Sequence, residues 1–183
     1  MAYSSGFHPH PRISYANPAP TSAASEAEFV ELGLSEPCDP AKIIDALNES
    51  LPTGFVILDA ADAVPESLND LLGASDWELT FSDADPGMLA STLEELMGEE
   101  HFEVERMTKN GLRTFDVREA ILLAEAEGHL LRVRLKHLTP LVRPDDIAKA
   151  LRMIEPQLPA LALFTRTTQG ILEDGDIRDA LRP

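Results

Sequence analysis

The chain alternates between two-residue and helical spacing of its apolar positions, with Pro and Gly marking the changes. Residues 1–25 are rich in Ser, Pro and Ala, and one apolar stretch, Ile13 to Ala16, allows a short edge strand there. Residues 26–34 alternate, with Val30, Leu32 and Leu34 on one face, and predict a strand. Asp39-Pro40 is a helix start, an acid at the cap and proline at the first helical position. Ile43, Ile44, Leu47 and Leu51 form one apolar stripe down that helix, which Pro52-Thr53-Gly54 ends. Phe55 to Ala63 predicts a further strand, and Pro65 to Ala74 a short helix or a loop.

The second part of the chain is more regular. Trp77 to Ser82 predicts a strand. Asp85-Pro86 repeats the helix start, with Met88, Leu89, Leu93, Leu96 and Met97 inward and Glu94 and Glu95 on the wet side. His101 to Met107 and Leu112 to Glu119 predict two strands joined by a turn at Lys109-Asn110-Gly111, because Asn-Gly readily takes positive φ. Ile121 to Ala126 extends the second of these. Glu127-Gly128 turns the chain into His129 to Lys136, where Leu131, Val133 and Leu135 alternate with Arg132, Arg134 and Lys136. Arg143-Pro144-Asp145-Asp146 opens a third helix with Ile147, Leu151 and Ile154 inward, its acids well placed against the helix dipole. Ala160 to Thr168 predicts the last strand, and the tail from Gly170 reads as polar and loosely held.

Residues 77–168 therefore run β-α-β-β-(β)-α-β, the ferredoxin-like order with one extra strand. Residues 12–63 run β-β-α-β, the same order without its first strand and first helix. The predicted fold is α+β: two ferredoxin-like halves with antiparallel sheets, the first half N-terminally truncated. The divisions are 1–75, 76–170 and a polar tail at 171–183. A missing strand would leave an unpaired edge, an invitation to self-association.

Composition narrows the function classes. With 183 residues, 44% hydrophobic and 26% charged, the chain can bury a core. Its single cysteine, Cys38, excludes an internal disulfide and any three-cysteine iron–sulfur motif within one chain. No apolar run reaches membrane-spanning length, and the start MAYSSGFHPHPRIS is no secretory signal. These features predict a cytoplasmic protein with no membrane partner. The net charge is −17, unevenly spread. Residues 1–105 hold two basic residues, Arg12 and Lys42, against 21 acids, whereas residues 106–183 hold 13 against 11. Anion-binding surfaces are thus expected in the second half or at the extreme N-terminus, and an acidic face for a basic partner in the first.

The N-terminal block is the most specific motif. It carries Tyr3, Ser4, Gly6, Phe7, His8, Pro9, His10, Pro11, Arg12, Ile13 and Ser14, then Pro18, Pro20, Ser25 and Glu28. Later come Leu47, Leu51, Pro52 and Gly54; Lys109, Asp116 and Arg118; Arg143-Pro144; and Phe164-Thr165-Arg166-Thr167. Together these resemble the domain of unknown function 2344 family, the radical-SAM-linked proteins. The resemblance implies a partner, a radical-SAM protein with a cobalamin-binding region. S-adenosylmethionine, an iron–sulfur cluster and cobalamin are implied for that partner only, and no cofactor for this chain. Family members usually carry a strand and a helix ahead of this block. Their lack here matches the truncated first half and makes a start codon placed too far downstream an expectation. Pro18-Ala19-Pro20-Thr21-Ser22 also lacks the glycine usual in the family.

His8 and His10, two apart, would share one side of an extended chain. A metal would need a third ligand, which the neighbouring sequence does not offer. The alternatives are a proline-stiffened loop presenting Gly6, Phe7, His8, His10, Arg12 and Ser14 to a partner or an anion, and plain packing. Lys109, Asp116 and Arg118 flank the predicted hairpin, either as a surface ion pair or, with Arg113, Arg132, Arg134 and Arg166, as a basic patch for phosphate. No nucleotide loop, nucleophile elbow or other complete catalytic motif is present, so no catalytic and no metal-ligating residue is assigned. The chain reads as an accessory or binding protein acting with a radical-SAM enzyme. An RNA-binding component of an RNA-modification or ribosome-related system is the alternative.

Overall fold

The computed structural model describes residues 1–109, 111–160 and 162–183. The fold class is α+β, as expected. In chain order the elements are β1 (Ile13–Ala16), β2 (Ala23–Ser25), β3 (Phe29–Leu32), α1 (Pro40–Ser50), α2 (Leu68–Leu71), β4 (Ala74–Thr80), α3 (Pro86–Gly98), β5 (Glu103–Thr108), β6 (Gly111–Asp116), α4 (Val117–Ala120), β7 (Ile121–Glu127), β8 (Leu130–Lys136), α5 (Pro144–Ile154), β9 (Leu163–Glu173) and β10 (Asp176–Arg178).

The acid-proline pairs start helices for the reason expected of them. The Asp39 carboxylate accepts from the Ala41 N–H and the Asp85 carboxylate from the Met88 N–H. Each satisfies an amide that a helix start would otherwise leave unpaired. α5 is capped from inside its first turn, where Asp146 accepts from the Arg143 N–H at 2.9 Å.

The main sheet belongs largely to the second half of the chain. Its strands lie in the order β10-β9-β4-β8-β7, with β4 antiparallel to both β9 and β8. Trp77 and Leu79 of β4, Leu131, Val133 and Leu135 of β8, Leu89, Leu93 and Leu96 of α3, and Ile147 and Leu151 of α5 form the core. Burying a side chain of this size contributes about 1.5–3 kcal/mol, so this layer dominates stability.

Three expectations are corrected here. First, the strands read across His101–Glu119 do not join the main sheet. β5 and β6 form a separate two-stranded ribbon, and β7, read as an extension, is the sheet's edge strand. The cause is Asp116, whose carboxylate caps α4 by accepting from the Arg118 and Glu119 N–H groups, and so breaks the strand. The predicted turn falls partly outside the described residues, at Asn110, as does Leu161 in the predicted last strand.

Second, the tail is part of the sheet. β9 runs on to Glu173, Asp174 and Gly175 turn with positive φ, and β10 returns antiparallel, bringing Ala180 into a small second core. Gly170 permits the return, because a Cβ there would lie 2.0 Å from the Arg178 carbonyl oxygen.

Third, Phe55–Ala63 is not a strand. It runs without regular structure, leaving Phe55, Val56 and Leu58 exposed. A strand needs a neighbour to hydrogen-bond with, and among the described residues none stands beside this one. The first half supplies only the β1–β3 pair, registered Ile13↔Leu32 to Ala16↔Phe29. The predicted stripe on α1 is consequently unsealed, and no residue of that helix is buried. β2 crosses to pair in parallel with β9, tying the first half to the main sheet.

Candidate functional site

The candidate residues fall into three places. The first is the N-terminal loop. Its base is closed by backbone bonds from Ser4 N–H to the His10 carbonyl (2.9 Å) and from Arg12 N–H to the Ala2 carbonyl (2.9 Å). The Ser4 hydroxyl accepts from the His10 N–H at 3.0 Å. Gly6 turns the tip at φ +130°, a conformation suited to glycine. Phe7 at the tip is fully exposed, with His8 and His10 also in solvent. The loop continues into β1, where Ser14 sits opposite Glu31 and both Ile13 and Tyr15 are exposed. The Arg12 stem lies across Gly33, where a Cβ would come within 2.7 Å of the Arg12 Cβ. The loop is thus held at its base while its apolar tip, Phe7, stands fully exposed among the described residues.

The second place is the β5–β6 ribbon. Lys109 lies in solvent at its far end, and Asp116 and Arg118 at its root. Asp116 does not pair with the Arg118 guanidinium. It accepts from His101 Nδ1 at 2.7 Å and caps α4 through the Arg118 and Glu119 amides. Burial pushes the Asp116 carboxyl up, but the His101 contact and the backbone donors outweigh it and leave it below the ordinary value. The same contact raises the His101 imidazole. Arg118 reaches the Ile121 carbonyl at 3.3 Å, while its Nε is buried without a partner.

The third place centres on Arg166, which is 1% exposed. Its guanidinium donates to the Glu28 carboxylate, the Asn17 carbonyl (2.8 Å), the Gln169 amide oxygen (3.2 Å) and the Ser25 hydroxyl (3.2 Å). It also stands 5.4 Å from the Trp77 ring centroid. A relay lies beside it. Trp77 Nε1–H donates to the Ser75 hydroxyl at 2.8 Å, and Ser75 lies 3.0 Å from His137 Nε2. His137 Nδ1 lies 2.6 Å from the Leu72 carbonyl, which can only accept, so Nδ1 carries the proton and Nε2 accepts from Ser75. Burial lowers the His137 pKa and keeps the ring neutral. The sequence marks Glu28 only as part of a motif, and Arg166 as a motif residue and a member of the expected basic patch. Asn17, Ser75, His137 and Gln169 were missed, although the unusual φ of +41° at Asn17, just before Pro18, marks a specialised turn.

The basic residues do not gather into one patch. Arg134 makes a two-pronged pair with Asp76 (2.8 and 3.0 Å) and also binds Asp176. Arg132 binds Glu78 and Glu127. Arg166 pairs in register with Trp77, on the face opposite these. Among the described residues no three His, Cys, Asp or Glu side chains cluster as a metal site. No helix there is long and apolar enough to cross a membrane.

The hub is a satisfied, buried structure, whereas the loop is an unsatisfied, exposed one. The loop holds Phe7 out for contact, and the far end of the ribbon likewise exposes Met107, Lys109 and Leu112. No curated protein and no solved structure matches this chain. A family model described as an uncharacterized protein conserved in bacteria matches residues 1–144, most of the length. On that match the chain belongs to the domain of unknown function 2344 family.

Proposed function

We propose that this chain is a non-catalytic accessory protein that docks a protein partner through its N-terminal loop. The observation that carries the reading is Phe7, a fully exposed aromatic at the tip of a loop closed by backbone hydrogen bonds. A loop already ordered loses little entropy on binding, and aromatic anchors dominate interface energies. The partner, following the family resemblance, is a cytoplasmic radical-SAM enzyme with a cobalamin-binding region. S-adenosylmethionine, the iron–sulfur cluster and cobalamin would all belong to it. This chain's one cysteine could not hold such a cluster.

The RNA reading has less support. A phosphate-binding sheet needs free cations, and Arg132 and Arg134 are each occupied by two carboxylates. The test is co-purification of the tagged chain with a co-expressed radical-SAM protein of the cobalamin-binding type. Stoichiometric capture that Phe7→Ala abolishes, with unchanged melting, supports the reading. Capture unaffected by Phe7→Ala, or salt-sensitive retention of RNA in place of protein, would sink it.

A further inference from the structure

The first half of the molecule contains an open groove of about 1510 Å³. Small-molecule sites usually occupy roughly 300–1,000 Å³, so this groove has the scale of a polypeptide site. One wall is β3 and the other is the irregular segment 55–63, with the half-buried Ile43 and Leu47 of α1 also lining it.

The wall at β3 is a free strand edge. The Gly33 N–H donates to the Arg12 carbonyl, which fixes the facing of the strand. Residues 29, 31 and 33 turn their backbone groups to β1. Val30 and Leu32, alternating with them, turn theirs into the groove. Among the described residues no strand pairs with β3 on that side. On the far wall, Val56 and Leu58 are exposed in a segment that also has no strand neighbour.

The charge of the lining identifies what fits. Glu26, Glu31, Glu36, Asp62 and Glu66 surround the groove with no Lys or Arg among its described lining residues, and Asp59 on its wall is already paired with Arg182. A second copy of this chain, with a net charge of −17, is a poor match. We infer that the groove accepts a β-strand from a partner protein, bonded to the backbone of Val30 and Leu32, with apolar side chains on Ile43 and Leu47 and alternating Lys or Arg toward the acids. Main-chain bonds along the edge would supply affinity, and the alternating side chains specificity. Phe7 is not part of this groove, so the loop reading stands or falls separately.

The probe is a labelled heptapeptide alternating Lys with Val, followed by fluorescence anisotropy and amide exchange. Controls are the same peptide with Glu for Lys and one interrupted by proline. Saturable binding of the Lys peptide alone is expected, weakened by salt, with Val30 and Leu32 amides gaining protection. Val30→Pro removes one groove-facing donor and spares the β1 side of the strand. Glu31→Lys with Asp62→Lys reverses charge at the rim and should weaken binding about tenfold. No binding, equal binding of the Glu peptide, or wild-type binding by both variants would overturn the inference. Two other occupants would also overturn it. One is a dimer in sedimentation that buries the same amides. The other is a form of the chain extended upstream in its gene that protects those amides by itself and excludes the peptide.

Discussion

Asn48 holds the backbone of Ile57 on both sides: its Oδ1 accepts from the Ile57 N–H at 2.7 Å, and its Nδ2 donates to the Ile57 carbonyl at 3.0 Å. A side-chain amide has here taken the place of a strand neighbour, giving residue 57 the pair of bonds an antiparallel partner would give. Asn48→Ala should free the segment. A net loss of about 1 kcal/mol is expected, since both bonds are solvent-exposed. Hydrogen exchange checks it: the Ile57 amide should exchange faster, and amides of the main sheet should not.

Arg166 joins β9 to Asn17, Ser25 and Glu28 of the first half. Arg166→Met would leave Asn17 and Ser25 half-buried without their donor, and Glu28, which is exposed, to water. A loss of about 2 kcal/mol is expected, from the half-buried acceptors left without a donor. Arg166→Lys should recover only part of it, because an ammonium cannot reproduce the fork that serves several acceptors at once. Urea unfolding midpoints of the two variants measure the difference. Equal stability of the Lys variant and the wild type would show that charge alone is needed.

The elements foreseen from sequence were those whose cause is local. Asp39-Pro40 and Asp85-Pro86 carry their own capping acceptor, and Leu131, Val133 and Leu135 declare a half-buried strand by alternation alone. Phe55–Ala63 has strand composition but no partner, and pairing is a property of two segments. The tail failed for the opposite reason: Ile171, Leu172 and Ile177 are diluted by polar neighbours, and only the turn at Asp174-Gly175 makes them meet. The N-terminal loop was legible from its prolines and Gly6. The Arg166 hub was not, because its members lie up to 152 positions apart in sequence, as Asn17 and Gln169 do.

Gly170 stands where β9 meets β10, and any Cβ would press on backbone rather than on a movable side chain. Gly170→Ala should therefore cost about 3 kcal/mol, at the upper end of overpacking effects. The damage should be local to β10 and Ala180. Limited proteolysis reads this directly, with earlier cleavage after Arg178 than in the wild type. A variant that melts and digests like the wild type would mean that β10 does not rest on β9 at this residue.

His101 and His137 should titrate on opposite sides of the ordinary imidazole value of 6.5. His101 is raised by its bond to Asp116, so its proton is held more tightly folded than unfolded. That contribution is complete below 6.5 and is lost as pH rises through the raised value. His137 is lowered, chiefly by burial, so the unfolded chain takes the proton first. Its contribution is complete above 6.5 and is lost as pH falls toward the lowered value. The two effects thus have opposite slopes: the His101 contribution falls off above 6.5 and the His137 contribution below it. Imidazole resonances followed by NMR should show His137 titrating after His101 on acidification. In chemical denaturation, His101→Asn should flatten the alkaline side of the pH profile and leave the His137 contribution in place, while the acid limb set by Asp116 weakens. Asp116→Asn should return the His101 titration toward 6.5, which separates the carboxylate's effect from simple exposure of the ring.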